Sequence, residues 1–155
     1  MVLDPMSAVA LASSVIYFVE FASKLISKTY QYHESTDGTL AENKVQNTIA
    51  SNLSNLSASL ENSLEPFDRS RKWSTNETGL QKVTIECHEV ANQLQRALNE
   101  FELGDGDRAS FLRSFRLALT ALWGKQEMER LQRRLNEARE QVMIHLMVVV
   151  WQVLS

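Results

Sequence analysis

The residues whose types and spacing could do chemistry are few, and the densest group of them is Glu86-Cys87-His88-Glu89. Carboxylate, thiolate and imidazole groups are the usual ligands of zinc. Neighbours one residue apart on a helix point in different directions, however, so this run cannot close a tetrahedral site by itself. His33 and His145 have no local ligand pattern. We therefore predict no metal site, and we interpret Cys87, which lies on an apolar stripe, as a small buried hydrophobe.

Patterns typical of nucleotide, calcium or ester chemistry are incomplete in this chain. A phosphate loop needs glycines clustered as in GxxxxGK[ST], whereas only Gly104 and Gly106 lie close together. The run from Gly104 to Asp107 is not followed by the oxygen ligands of a calcium loop, and there is no GxSxG elbow for a serine nucleophile. The sequence predicts no catalytic residue, no cofactor and no small-molecule substrate. An enzyme would need a pocket in which coupled His, Asp or Glu side chains come together from distant positions.

The overall composition is typical of one helical domain. The chain has 155 residues, one cysteine, two prolines, five glycines and a net charge of −3. A chain of this length can bury a core without a metal or disulfides, and a lone cysteine fits a reducing compartment. The acidic balance argues against a nucleic-acid partner. We expect residues 1–155 to form one domain in the cytoplasm.

Helical periodicity between the few chain breakers predicts an all-α, up-and-down bundle of four or five helices. The predicted segments are residues 5–31, 40–65, 77–103 and 108 to the end, with a break near Gly124 in the last. Residues 33–39 and 66–76 are predicted to be irregular, and Asp107 is a candidate helix cap.

The first predicted helix carries no charge from Pro5 to Val19. A helix that is apolar nearly all round is either buried in a protein or inserted in a membrane. A secretory signal would need positive charge before the apolar run, and here Asp4 is the only charge. Glu20 interrupts the run before it reaches the roughly 20 residues that span a bilayer, so the run is too short to span comfortably unless Glu20 is neutralised or faces a pore. We expect a central bundle helix, packed against the second, third and last helices.

A second uncharged run covers residues 142–154, apart from His145. It is also too short to span a bilayer. We expect this run to pack in the core or to continue into sequence beyond Ser155. The chain would then be a domain excised from a longer protein, or one whose last helix ends abruptly.

Charge is distributed unevenly along the chain. Residues 1–67 hold three basic and seven acidic side chains, whereas residues 108–139 hold eight basic and three acidic ones, a net charge of +5. The positive segment could meet an anionic lipid surface or an acidic partner, or it could pair with Glu residues of neighbouring helices. The candidate basic surface consists of Arg113, Arg116, Arg130, Arg133, Arg134 and Arg139.

The start of the chain resembles a known family. Asp4-Pro5-Met6-Ser7-Ala8, followed by the segment from Ala12 to Phe21, is similar to the start of the helical N-terminal domain of fungal STAND proteins, which precedes a NACHT nucleotide-binding module and a repeat region. The similarity continues in register through Ser23-Lys24-Leu25, Asp37-Gly38, Leu80 to Leu98 around Cys87, Ser114 to Leu119 with Trp123, and Glu129-Arg130-Leu131 to Arg139.

The resemblance implies a HeLo-like, non-catalytic signalling or effector domain of an NLR-like protein, acting in self/non-self recognition and regulated cell death. In such domains the first helix is the membrane-active element, which here would present Met6, Val9, Leu11, Val15, Ile16, Phe18 and Val19. The expected mechanism is that oligomerisation of a NACHT module gathers these domains and releases residues 1–26 toward an anionic membrane. The expected partners are other proteins or further copies of the chain. The alternative is a soluble homotypic adaptor that recruits a separate executioner through its helix faces.

Overall fold

The computed structural model describes residues 5–31, 39–68, 73–103 and 111–154. Within these ranges the chain contains five α-helices, one 3₁₀ turn and no strand. The elements are α1 (Pro5–Gln31), α2 (Thr39–Ser63), the 3₁₀ turn (Glu65–Asp68), α3 (Thr75–Leu103), α4 (Phe111–Leu122) and α5 (Lys125–Leu154). The prediction of an all-α bundle is confirmed.

The bounds of the helices follow the sequence signals closely. α1 begins at Pro5, whose missing N–H is not needed in the first turn, and it ends at Gln31 as predicted. α2 ends at Ser63, and the 3₁₀ turn that follows contains Pro66. The predicted break near Gly124 is confirmed, since it separates α4 from α5. The candidate cap Asp107 and the predicted loop, up to residue 38, lie outside the described residues.

α3 begins earlier than predicted because Ser74 and Glu77 cap it reciprocally. The backbone N–H of Glu77 donates to Ser74 Oγ (3.2 Å), and the backbone N–H of Ser74 donates to Glu77 Oε1 (3.0 Å). This capping box satisfies two donors at the start of the helix. The prediction that residues 66–76 are irregular is therefore wrong at both ends, where the 3₁₀ turn and the start of α3 lie.

Two side-chain contacts show the up-and-down arrangement of the helices. Ser14, in the first half of α1, meets Ser63 at the end of α2, with their hydroxyl oxygens 3.1 Å apart. His145, near the end of α5, meets Asn76 at the start of α3, with Nδ1 and Oδ1 3.1 Å apart. α2 therefore runs antiparallel to α1, and α5 runs antiparallel to α3.

α1 is the central helix of the bundle, and one of its faces is buried along most of its length. The buried residues recur with helical spacing, and they are Ala8, Leu11, Ala12, Val15, Phe18, Val19, Ala22, Leu25 and Ile26. This face packs against α2, α3, α4 and α5, and most extensively against α5. The prediction that the first helix lies against the second, third and last is confirmed.

The uncharged run at the end of α5 is only partly in the core. Val142 and Val149 are buried. Five other apolar side chains of the run are exposed to solvent: Met143, Ile144, Met147, Trp151 and Leu154. The prediction that this run packs in the core is wrong for these five, because the run is apolar around the whole helix while its neighbours, chiefly α1 and α3, cover only one side.

Candidate functional site

The seven residues proposed as the membrane-active part of α1 fall into two groups. Leu11, Val15, Phe18 and Val19 are in the core, and Ile16 packs partly buried against it. Met6 and Val9 are exposed, at 75% and 44%. Four of the seven side chains therefore hold the bundle together, and they could meet a membrane only if α1 left its place.

Among the described residues, two polar side-chain contacts join α1 to its neighbours. Ser63 Oγ of α2 donates to the backbone carbonyl of Ser59 (2.7 Å) and lies beside Ser14 Oγ of α1. Arg139 Nη2 of α5 lies 3.6 Å from Glu20 Oε1 of α1, and both side chains are about half exposed. An ion pair this open to water contributes at most about 1 kcal/mol. Apolar packing therefore supplies most of the energy that keeps α1 in the bundle.

By length and composition, α1 could cross a membrane. The segment Met6–Ser27 has 22 residues and contains an 18-residue window with a mean hydropathy of 1.6, and it alone meets this criterion among the described residues. The core helix of a soluble bundle and an N-terminal signal sequence meet the same criterion. Composition is thus compatible with both the core role and the membrane role of α1.

The candidate basic surface does not form one continuous face among the described side chains. Arg130, Arg133, Arg134 and Arg139 are all exposed on α5. Arg134 lines a groove against α3, whereas Arg139 pairs with α1. The positions of Arg113 and Arg116 are in α4, and their side chains lie outside the described part of the molecule. Arg139 fits the expectation that basic residues pair with Glu residues of neighbouring helices.

A polar groove of about 580 Å³ lies between α3 and α5. Side chains of both signs line it together with three apolar residues: Gly79, Lys82, Val83, Glu86, Arg134, Glu137, Ala138, Gln141, Ile144 and His145. Its Lys, Arg and Glu groups could hold a polar segment of a partner through ionic contacts. No set of three or more His, Cys, Asp or Glu side chains that could hold a metal occurs in the described residues.

Gly79 and His145 form one end of this groove. A Cβ atom built at Gly79 would lie 2.5 Å from Nε2 of His145 and 2.6 Å from its Cε1. The imidazole therefore occupies the space that a side chain at position 79 would need. The hydrogen bond to Asn76 holds the ring in this position.

Cys87, the sulfur of the candidate Glu86-Cys87-His88-Glu89 group, faces the core. The pKa of its thiol is raised from 9.0 to about 12, chiefly by burial; the charge of Glu86 contributes to the rise, and that of Arg134 opposes it. A buried thiol with a raised pKa stays protonated at neutral pH, which disfavours its reaction as a nucleophile. The interpretation of Cys87 as a small buried hydrophobe is confirmed.

Three features were not predicted although the sequence carries signals for them. Ser74 and Glu77 have the S-x-x-E spacing of a capping box. Gly79 and His145 are distant in sequence. The one sequence signal for their contact is that Gly79 lies inside a predicted helix, where a glycine often marks close packing. The exposed apolar residues of α5 follow steps of three and four, but on the side opposite the predicted core stripe.

The described part of the chain is an all-α bundle built around a central apolar helix. A family model described as SesA, the N-terminal domain on NACHT NTPases and P-loop NTPases, matches residues 12–142. The chain belongs to this family, and the resemblance to N-terminal domains of NACHT and STAND proteins is confirmed. No curated protein and no solved structure gives a match.

Proposed function

We propose that this chain is a non-catalytic signalling or effector domain of a fungal, NLR-like STAND protein, acting in the cytoplasm in regulated cell death or self/non-self recognition. The observation that supports the proposal is that domains of this family lie N-terminal to NACHT and P-loop NTPase modules. In this arrangement the nucleotide-driven step belongs to the attached module. The role of the helical domain is to respond when that module oligomerises and brings several copies together.

The proposed response is the release of α1 toward an anionic membrane. The uncharged segment of residues 5–19 and the net positive segment of residues 108–139 support it. The free-energy cost is considerable, because six large side chains of α1 are buried: Leu11, Val15, Phe18, Val19, Leu25 and Ile26. Exposing them to water costs on the order of 10 kcal/mol. Insertion of the same side chains into a bilayer would offset this cost, so α1 should leave the bundle only beside a membrane.

A reversible covalent link between α1 and α2 tests this response. Ser14 and Ser63 have hydroxyl oxygens 3.1 Å apart, which is close enough for a disulfide in a Ser14→Cys/Ser63→Cys variant. The variant would be tethered through a C-terminal tag to vesicles of phosphatidylcholine and phosphatidylserine at high density. We expect dye leakage from the reduced variant and none from the oxidised one, because α1 cannot leave while it is bonded to α2.

The matched control is Ser14→Cys alone, which cannot form the link and should leak under both conditions. Cys87 does not compete for the new thiols because it is buried. Equal leakage from the oxidised and reduced double variant would contradict release of α1. No leakage from the wild-type chain at any density would overturn the membrane role altogether.

The second candidate function is a soluble homotypic adaptor without membrane activity. The core position of Leu11, Val15 and Phe18 favours it, because an adaptor keeps its fold intact while it signals. This candidate predicts concentration-dependent self-association in the absence of lipid, and no binding to the vesicles. Both candidates require that copies of the chain come together.

A further inference from the structure

The solvent-facing side of α5 is polar in the first half of the helix and apolar in the second half. One exposed row of residues runs along this side at steps of three and four, and it consists of Glu129, Arg133, Asn136, Glu140, Met143, Met147, Trp151 and Leu154. The first four members are polar and the last four are apolar. With Ile144 beside them, the apolar members form a patch that we call the α5 stripe: Met143, Ile144, Met147, Trp151 and Leu154.

The α5 stripe is larger than the apolar surface that a monomer ordinarily leaves in water. Its members are between 42% and 78% exposed, with Met143 the least and Leu154 the most exposed. Together they present roughly 700 Å² of surface, above the ~300–600 Å² of the largest apolar patch on a typical monomer. This area is close to the ~800 Å² that each partner contributes to a standard protein interface. A patch of this size indicates a partner.

The neighbouring charges favour a second copy of this chain over an anionic lipid surface. The polar half of the same row carries Glu129 and Glu140 against Arg133, so this row offers no cluster of basic residues that would attract anionic headgroups. The stripe itself carries no charged side chain. Two such stripes can therefore meet without burying an unpaired charge, which would be costly.

We propose that the α5 stripe is the surface through which two copies of this chain associate about a two-fold axis, with their α5 helices antiparallel. In the parallel arrangement Glu140 would face Glu140, and Arg133 would face Arg133. In the antiparallel arrangement the apolar halves overlap, and the like charges of the two copies lie far apart. The pairing is isologous, so Met147 of one copy packs against Trp151 of the second. This inference rests on the proposed function, because it names the surface used when copies gather.

Sedimentation equilibrium of the full chain over a range of concentrations tests whether the α5 stripe is a dimer interface. We expect a monomer–dimer equilibrium for the wild-type chain and a weakening of at least tenfold for Met147→Glu and for Trp151→Glu. Neither substitution disturbs the core, because both side chains are already largely exposed. The matched control is Leu117→Glu, which places the same charge at a 64% exposed position of α4 and should dimerise like the wild type.

Cross-linking tests the antiparallel register. A mixture of Met147→Cys and Trp151→Cys chains should form disulfide-linked heterodimers faster than either variant forms homodimers. A wild-type chain that stays monomeric at several hundred micromolar, or a dimer that Met147→Glu and Trp151→Glu leave unchanged, would overturn the inference. The vesicle experiment gathers copies by a tether and does not need the stripe. A chain that leaks vesicles yet stays monomeric in solution would therefore refute the stripe and leave the proposed function standing.

Discussion

At Gly79, the backbone of α3 and the imidazole of His145 share a space too small for a methyl group. The distance of 2.5 Å from a built Cβ to Nε2 is shorter than any real contact of that kind. A glycine in the interior of a helix destabilises it by up to about 1 kcal/mol relative to alanine. The close approach of α5 therefore favours glycine at position 79, although alanine there would make the isolated α3 helix more stable.

The effect of Gly79→Ala should change sign with the residue at position 145. In the wild-type chain we expect the substitution to lower the free energy of unfolding by about 1–2 kcal/mol, because the ring must move and lose its bond to Asn76. In a His145→Ala background the same substitution should raise that free energy by up to about 1 kcal/mol, since only the gain in helix propensity remains.

Urea denaturation of the four chains in this double-mutant cycle measures the coupling. The matched control is Gly124→Ala, because a Cβ at Gly124 has nothing within 4 Å. Its effect should be the same with and without His145→Ala. An equal effect of Gly79→Ala in both backgrounds would show that the ring does not restrict position 79.

The buried thiol of Cys87 makes the stability of the fold depend on pH in the alkaline range. In the folded chain the pKa is raised from 9.0 to about 12, mainly by burial. Above pH 9 the unfolded chain releases this proton while the folded chain retains it, so the free energy of unfolding falls as the pH rises toward 12. Below pH 9 both states keep the proton and the contribution is complete.

We expect wild-type stability to fall more steeply than that of Cys87→Ala between pH 9 and 10.5, by up to about 1.4 kcal/mol per pH unit. The comparison of the two chains cancels the titration of lysines and tyrosines. Urea denaturation at several pH values gives both slopes. Parallel slopes would mean that the thiol ionises as readily in the folded chain as in the unfolded one.

At the scale of the helices, two side chains determine where α3 begins. The Ser74 hydroxyl accepts the Glu77 N–H, and the Glu77 carboxylate accepts the Ser74 N–H. Glu77 is only 2% exposed, whereas Ser74 is exposed, so these bonds are partly buried. The cap also positions Asn76 and Gly79, which both lie near the start of α3 and contact His145.

Ser74→Ala should lower the free energy of unfolding by about 1 kcal/mol, as loss of an N-cap acceptor usually does. Ser74→Asp should retain most of the stability, because a carboxylate accepts the same N–H and also favours the positive end of the helix dipole. The control is Ser51→Ala at an exposed position within α2, which should change the free energy by less than about 0.5 kcal/mol. Thermal or urea denaturation distinguishes them. A loss at Ser74 no larger than at Ser51 would contradict the capping role.

The helices could be predicted from the sequence wherever one face is apolar and the other polar. Leu80, Val83 and Cys87 of α3 step by three and four, and all are buried. The same reasoning failed for the end of α5, because a run that is apolar all round carries no information about which side has neighbours. Trp151 and Val149 are equally apolar, yet one is exposed and the other buried.

At the scale of the whole molecule, the sequence predicted the class of fold and the family but not how helix faces meet. Glu86 and Arg134 line the same groove between α3 and α5, and no local pattern links them. The net positive charge of residues 108–139 was found by counting charged residues. Such a count does not show that Arg134 and Arg139 face different helices. Contacts between distant segments depend on helix rotation and direction, which one sequence does not specify.

The packing of α1 against α5 also determines when the domain can complete its fold during synthesis. α1 is made first, but its most extensive partner, α5, lies roughly 120 residues later in the chain. A ribosome that adds ~5–20 residues per second needs about 6–24 s to bridge that interval. During this time the most apolar helix of the molecule lacks the neighbour that covers it most. We therefore expect nascent α1 to expose apolar surface of the kind that chaperones at the ribosome bind.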